Sequence, residues 1–147
     1  MEQSLQRDSD SQHIVVLGCD VVGLSVATSL ADQGHVVHVL DSRTEALDRL
    51  PLGKIEDGNI IPILGNGTLQ QGLLKTSIQD ASVFIALSNV DNINALAAQI
   101  AKHIHEVPVV ICLIDDPVKQ KMYADLDVVA ISGANLATEM VLDAASA

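Results

Sequence analysis

A chain of 147 residues that is 48% hydrophobic has the length of one domain and enough apolar side chains for a real core, which must be aliphatic because it has one Phe and one Tyr. The formal net charge of −11 argues against nucleic acid and anionic membranes as direct partners, because both would repel an acidic surface. With no secretory signal and no apolar run of membrane-spanning length, we expect a soluble cytoplasmic protein.

The predicted elements alternate between strands and helices. Residues 1–12 are polar and lack an apolar period, so a flexible N-terminal arm is expected there. Short aliphatic runs predict six buried strands, at 13–17, 35–40, 59–64, 82–87, 107–114 and 128–132. Right-handed connections then predict an α/β fold, a Rossmann-like doubly wound parallel sheet in the order 3-2-1-4-5-6, with residues 13–133 as the nucleotide-binding domain.

Local signals predict where the helices begin and end. Gly34 can take the left-handed conformation that ends the first helix. Capping-box spacings at Ser42–Glu45 and Thr68–Gln71 predict two further starts. Another helix should begin near Asp91, and Asp116-Pro117 reads as an N-cap followed by proline at the first helical position. The buried face predicted for the helix near Asp91 comprises Ile93, Leu96, Ala97, Ile100 and Ala101.

The stretch His13–Asp41 has the pattern of the first βαβ unit of a dinucleotide-binding fold. Gly18 permits the tight turn after the first strand, and Gly23 permits close packing of the helix on the sheet. The N–H groups at the start of that helix, with the positive end of its dipole, would hold a phosphate. Asp41 is placed to accept hydrogen bonds from a ribose diol, which favours NAD or an adenine nucleotide over NADP.

Asp20 replaces the middle glycine of the Gly-x-Gly-x-x-Gly fingerprint. Two like charges ~4 Å apart repel by ~4 kcal/mol at an effective dielectric of ~20, whereas a helix N-terminus offers a nearby anion only about 0.3–1 kcal/mol. An ionised Asp20 facing the phosphates must therefore turn away, be protonated or be bridged by a cation. The alternative is that Asp20 points outward and caps the first helix.

Two later loops reach the same crevice in the predicted fold. The first, 66–68, lies where an adenine edge could be read, and the second follows the fourth strand. The alternative for both loops is that their polar residues only cap the following helices. The candidate nucleotide-binding residues lie on the glycine turn, the end of the second strand and these loops: Gly18, Cys19, Asp20, Val21, Val22, Gly23, Asp41, Ser42, Arg43, Asn66, Gly67, Thr68, Ser88, Asn89 and Asp91.

The cysteines and histidines do not form a predicted metal site. Cys19 and Cys112 lie in apolar surroundings, which favours reduced, buried thiols over a disulfide. His103 and His105 are two residues apart and do not share a helical face. We therefore predict neither metal ligands nor catalytic residues.

In order and spacing, these motifs resemble the RCK_N domain, also called KTN or TrkA-N, which is the regulatory domain of Trk/Ktr-type potassium transporters and channels. The resemblance spans roughly residues 13–141. It rests on the glycine turn, Asp41, Gly65–Thr68, Leu87–Asn92 and the closing segments 122–132 and 136–141. It implies a sensor without catalytic activity that binds NAD(H) or adenine nucleotides. It also implies homodimers or rings that control a membrane potassium transporter or channel from the inner face of the cell membrane.

The chain departs from the family pattern in its charges. Many members carry Arg or Lys in the glycine turn or near the end of the fifth strand, where this chain has Val21, Leu113 and Asp115. Arg43 is the nearest candidate cation, so NAD(H), AMP or ADP is a better candidate ligand than ATP. The family's usual C-terminal companion domain is also missing, so the chain is either a stand-alone homologue or the N-terminal domain of a longer subunit.

Two other functions stay open at this point. A small NAD-dependent oxidoreductase has little support, because Tyr123 is followed four residues later by Asp127 rather than the lysine of a Tyr-x-x-x-Lys pair. An assembly module that has lost nucleotide binding would explain Asp20 and the missing cations.

Residues 134–147 are predicted to form a C-terminal crossover helix for oligomerisation. Leu136, Met140 and Val141 make an apolar stripe on it, and such a stripe usually marks a partner surface. The alternative is that the stripe folds back on its own sheet and the protein is a monomer.

Overall fold

The structure, a computed structural model, describes residues 10–146. Most of the predicted arm (residues 1–9) and the last residue of the predicted oligomerisation helix (147) lie outside this range. The elements follow one another as β1 (His13–Leu17), α1 (Val21–Asp32), β2 (Val36–Asp41), α2 (Thr44–Leu47), α3 (Leu52–Glu56), β3 (Ile60–Leu64), α4 (Gln70–Leu74), β4 (Val83–Ala86), α5 (Asp91–His103), β5 (Val109–Leu113), α6 (Pro117–Ala124), β6 (Val129–Ile131) and α7 (Gly133–Ala145). Within residues 10–146, no helix is both long and apolar enough to cross a bilayer.

The six strands form one parallel sheet in the order β3-β2-β1-β4-β5-β6, which confirms the predicted topology. Leu17 of β1 pairs in register with Leu40 of β2 and with Ala86 of β4, so these strands end at nearly the same level. The chain runs outward from β1 to β3 on one side and from β4 to β6 on the other. The strand order therefore reverses between β1 and β4, where such folds open a crevice at the carboxyl ends.

Apolar side chains cover both faces of the sheet. Val15 and Leu17 belong to a cluster that includes Phe84 and the alanines of α5, whereas Ile14 and Val16 belong to a second cluster with the alanines of α1. Successive strand residues point to opposite faces, and both faces are covered by helices. This double burial explains why the strands appear in the sequence as continuous aliphatic runs rather than as alternating patterns.

The two predicted capping boxes are wrong. Arg43 occupies the N-cap position of α2 and Leu69 that of α4, and neither helix start has a side-chain cap. Ser42 lies one residue before that position, and Thr68 hydrogen-bonds within its own loop instead of capping the helix. The N-cap at Asp116 is confirmed, because its carboxylate accepts an N–H from the first turn of α6 at 2.9 Å.

The last helix, α7, stands away from the sheet and buries none of its side chains. Its stripe residues Leu136, Met140 and Val141 are 51, 72 and 65% exposed. Together with α1 and the ends of β4, β5 and β6, α7 encloses an apolar space of about 650 Å³, called here the α7 groove. The α7 groove is lined by Val22, Val26, Ile85, Leu87, Ile111, Leu113, Asp115, Ile131, Gly133, Leu136, Ala137 and Met140.

Candidate functional site

A cleft of about 350 Å³ opens at the carboxyl ends of the central strands, at the point where the strand order reverses. Most of its lining comes from the predicted set, because the topology brings the ends of β1, β2, β3 and β4 to one edge. The lining residues are Leu17, Gly18, Asp20, Asp41, Ser42, Arg43, Gly65, Asn66, Gly67, Ser88, Asn89 and Ile93. Three lining residues were not among the predicted nucleotide-binding residues and contribute mainly apolar or backbone surface: Leu17, Gly65 and Ile93.

The glycine turn needs its two glycines for different reasons. Gly18 has a φ of +96°, and a Cβ there would lie 2.6 Å from the backbone nitrogen of Ser88. A Cβ on Gly23 would lie 1.8 Å from the carbonyl oxygen of Gly18. The first glycine therefore lets β1 and the β4 loop approach each other, and the second lets α1 start directly against the turn.

The carboxylate of Asp41, only 5% exposed, accepts four hydrogen bonds. Its Oδ2 accepts from the backbone N–H of Cys19 at 2.8 Å and from Nη2 of Arg43 at 3.2 Å. Its Oδ1 accepts from the backbone N–H of Arg43 at 2.9 Å and from Nε of the same residue at 3.1 Å. Asp41 thus ties the glycine turn to the end of β2.

Asp20 is bridged by a cation, which was one of the three arrangements predicted for an ionised side chain here. Its Oδ1 accepts a hydrogen bond of 2.6 Å from Nη2 of Arg43, the nitrogen that also contacts Asp41. Asp20 occupies the N-cap position of α1 but makes no side-chain cap, so the capping alternative is wrong. Arg43, half-exposed, therefore lies across the cleft between two carboxylates.

This arrangement shifts the pKa values of Asp41, Arg43 and Cys19. Burial raises the pKa of the Asp41 carboxyl, but the hydrogen bonds from Arg43 and from the Cys19 backbone outweigh burial and hold that pKa below its usual 3.8. The two carboxylates raise the pKa of the Arg43 guanidinium. Burial, and then the charges of Asp41 and Asp20, raise the pKa of the Cys19 thiol to about 11. At neutral pH Asp41 is therefore an anion, Arg43 a cation and Cys19 a neutral thiol.

The loop after β4 is held by a residue that the sequence analysis missed. Asn94 of α5 is fully buried and bonds Ser88 three times: its Oδ1 accepts from the Ser88 nitrogen and hydroxyl, and its Nδ2 donates to the Ser88 carbonyl. Nδ2 also donates to the Leu113 carbonyl at 2.8 Å. The predicted buried face of α5 was wrong at Leu96, which is 48% exposed. A signal was present, because Asn94 is three, four and seven residues before small alanines of the same face.

Several predicted residues lie outside the cleft. Val21 is exposed on α1, and Val22 lines the α7 groove instead. Thr68 bonds the side chain of Asn66 at 2.6 Å. The carboxylate of Asp91 accepts the backbone N–H groups of residues 115 and 116, so it holds the loop after β5 rather than facing the cleft. The two other predicted residues outside the lining belong to the turn itself, as its buried thiol and its packing glycine: Cys19 and Gly23.

The two thiols are buried, and two of the histidines stack on each other. Cys19 and Cys112 are both free and buried, as predicted, and burial raises the pKa of the Cys112 thiol to about 11. The rings of His13 and His38 stack with centroids 4.3 Å apart. Burial and the neighbouring His13 lower the pKa of His38 to about 4, so His38 is neutral at pH 7. In the described part of the chain no cluster of three metal-ligating side chains occurs.

Comparison with known proteins gives one family match. The family model described as the TrkA-N domain matches residues 14–133. The Trk system potassium uptake protein TrkA of Streptomyces coelicolor is 32% identical over 130 residues, covering 88% of this chain and 56% of that protein. A TrkA homolog of Pyrococcus horikoshii is 32% identical over 114 residues, covering 78% of this chain and 48% of that protein. The chain therefore spans about half the length of these relatives.

Solved structures share the fold at lower identity. The Kef CTD of Shewanella denitrificans in its AMP-bound form has a TM-score of 0.72 at 16% identity, with 90% of this chain and 79% of that one covered. GsuK bound to ADP has a TM-score of 0.65 at 20% identity over 85% of this chain and 32% of that one. The GsuK channel bound to NAD has a TM-score of 0.63 at 21% identity over 83% and 22%. At identities this low, the structural similarity establishes a common fold alone.

Proposed function

The chain belongs to the TrkA-N domain family, and from that premise we propose that it is a nucleotide-sensing regulatory domain of a potassium transporter or channel, without catalytic activity. The observation that carries the proposal is the cleft at the reversal of strand order, with a glycine turn on one side and a buried carboxylate at the end of β2. The names of the two relatives, both potassium uptake proteins, support the partner class.

The residues of the cleft fit an adenine nucleotide in two respects. Gly18 lines the cleft at the glycine turn, and the backbone N–H groups of the first turn of α1 have no side-chain cap and are available for a phosphate. Asp41 lies where a ribose diol is bound in such folds. We propose AMP, ADP or NAD(H) as the ligand and ATP as a weaker one, because Asp20 adds negative charge and, among residues 10–146, Arg43 is the one cation in the cleft lining. Three structural neighbours are bound to ADP, NAD or AMP, which supports this choice.

The α7 groove supports association with a second copy. Its walls are almost entirely apolar, and the stripe of Leu136, Met140 and Val141 on α7 is exposed. We propose a homodimer or a larger ring in which α7 packs on a neighbouring subunit, attached through its transporter or channel to the inner face of the membrane. Val22, in the first turn of α1, lines this groove. A ligand that fits one subunit arrangement better would shift the equilibrium toward it.

One observation favours a second function. Asp41 already accepts four hydrogen bonds, so it offers a ribose no open acceptor. This is the arrangement expected of an assembly module that has lost nucleotide binding. The oxidoreductase alternative gains no such support from the cleft.

Thermal unfolding across a nucleotide panel separates these functions. At about 100 times its Kd, a ligand stabilises by ~2.7 kcal/mol, which raises the Tm of a chain this size by roughly 5–10 °C. We expect such a shift with AMP, ADP or NAD(H) for the wild type and for Asp48→Ala, an exposed control that removes the same charge. Asp41→Ala should abolish it. No shift with any adenine compound would favour the assembly module.

Light scattering tests the assembly. The full chain should be at least dimeric well above micromolar concentration, and a chain ending at Gly133 should be monomeric but folded, because α7 buries no side chain. A monomeric full chain would refute the proposed interface.

A further inference from the structure

The side chain of Arg43 fills positions on Asp41 that a ribose would need. An ionised carboxylate offers about four acceptor positions. Two are taken by backbone N–H groups, from Cys19 and Arg43, which the fold holds in place. Nε and Nη2 of Arg43 take the other two, at 3.1 and 3.2 Å. A ribose diol can therefore reach Asp41 only after the guanidinium has moved away.

The guanidinium already reaches the place where a phosphate would lie. Nη2 of Arg43 bonds Asp20 at 2.6 Å, and Asp20 is the residue immediately before the first turn of α1. The N–H groups of that turn are the phosphate-binding groups of the proposed site. Because Arg43 is half-exposed, its side chain can turn from Asp41 toward this helix start without unpacking the core.

The cost of releasing Asp41 then depends on the ligand. A nucleoside takes the two acceptor positions but offers the displaced guanidinium no new anion. A nucleotide offers a phosphate, and arginine forms strong paired hydrogen bonds with phosphate oxygens. The guanidinium then lies between the phosphate and Asp20 and offsets the repulsion between these two anions.

We propose that Arg43 makes this cleft select phosphorylated adenine nucleotides over free nucleosides, by coupling the release of Asp41 to the capture of a phosphate. This inference rests on the proposed nucleotide-binding function of the cleft. It assigns Arg43 as a specificity residue rather than a general electrostatic attractant.

The test compares AMP with adenosine, which differ only by the phosphate group. Calorimetry on the full chain should show AMP binding at least tenfold tighter than adenosine to the wild type. Arg43→Met frees two acceptor positions and leaves two carboxylates without their cation. In this variant adenosine should bind roughly tenfold tighter and AMP roughly tenfold weaker, as expected for hydrogen bonds to charged groups. Arg49→Met is the matched control, because Arg49 lines a small pocket together with Asp20 and Arg43 but donates no hydrogen bond to Asp41.

The ratio of the two affinities separates the outcomes. A preference for AMP that collapses in Arg43→Met and stays within about threefold in Arg49→Met supports the inference. An unchanged preference in Arg43→Met overturns it while leaving nucleotide sensing intact. A parallel loss of both ligands, or an equal loss of preference in Arg49→Met, also overturns it, because either would mean a structural or a non-specific charge effect. Binding of neither compound by the wild type refutes the proposed function together with the inference.

Discussion

Replacing Asn94 by leucine should destabilise the protein by about 3 kcal/mol. The amide is fully buried and forms four hydrogen bonds of 2.7–2.9 Å, three to Ser88 and one to Leu113. Leucine has a similar volume but leaves the N–H and C=O of Ser88 and the carbonyl of Leu113 without their partner. Each buried polar group left unpaired costs about 1–3 kcal/mol. Because Ser88 lines the cleft, water can reach part of it, so the expected loss is smaller than the sum over the three groups.

Asn94→Asp sharpens this prediction because it keeps the shape of the side chain. The carboxylate can still accept from Ser88, but an oxygen replaces the nitrogen that lies 2.9 and 2.8 Å from two carbonyl oxygens. We expect this variant to be at least as unstable as Asn94→Leu at neutral pH. Urea unfolding followed by far-UV circular dichroism measures both. Asn92→Leu, an exposed change on the same helix, is the control and should shift stability by less than about 0.5 kcal/mol. A loss below 1 kcal/mol for both Asn94 variants would refute the reasoning.

Three further changes test other parts of the site. The folded pKa of Asp41 is held below 3.8, so the contribution of its carboxylate to the free energy of unfolding is complete at neutral pH and is lost as the pH falls through that folded pKa. The Asp41→Asn variant should therefore lose less stability than the wild type on acid titration. An identical titration of the two proteins would contradict this. Gly23→Ala should lower the Tm by several degrees, because its Cβ meets the Gly18 oxygen at 1.8 Å, whereas Gly53→Ala in α3, with open space around it, should leave the Tm unchanged or raise it. Asp20→Gly should tighten nucleotide binding, most of all for diphosphates, and loss of binding by calorimetry would instead make Asp20 a group that holds the ligand.

The order of elements could be predicted because it depends on local patterns. Buried strands such as Val83–Ala86 appear as aliphatic runs, and the regular alternation with helices leaves few topologies. The helix caps could not be predicted equally well. Thr68 has the right spacing for a cap, but its hydroxyl and its backbone N–H both donate to the side chain of Asn66, a local loop contact that the capping-box spacing does not encode.

The candidate site, like the fold, could be predicted from the sequence only in part. Chain order alone puts Gly18, Asp41 and Ser88 at neighbouring strand ends, so most of the cleft lining could be predicted. The pairing of Arg43 with two carboxylates could not, because it depends on one side-chain rotamer and on the turn that exposes Asp20. Asn94 was missed because an asparagine in a helix more often faces water than a strand end.

The exposed position of α7 has a consequence for how the chain folds. An isolated helix of about 12–15 residues is marginal in water, because nucleation is costly and helical stability comes mostly from packing. The helix α7 has 13 residues, one side-chain cap at Ser132 and no buried side chain to anchor it. In a dilute monomer this segment should exchange between helix and coil, and its ordering should coincide with assembly. Helix content should then rise with protein concentration, so that circular dichroism reports the association of subunits as a coil-to-helix transition.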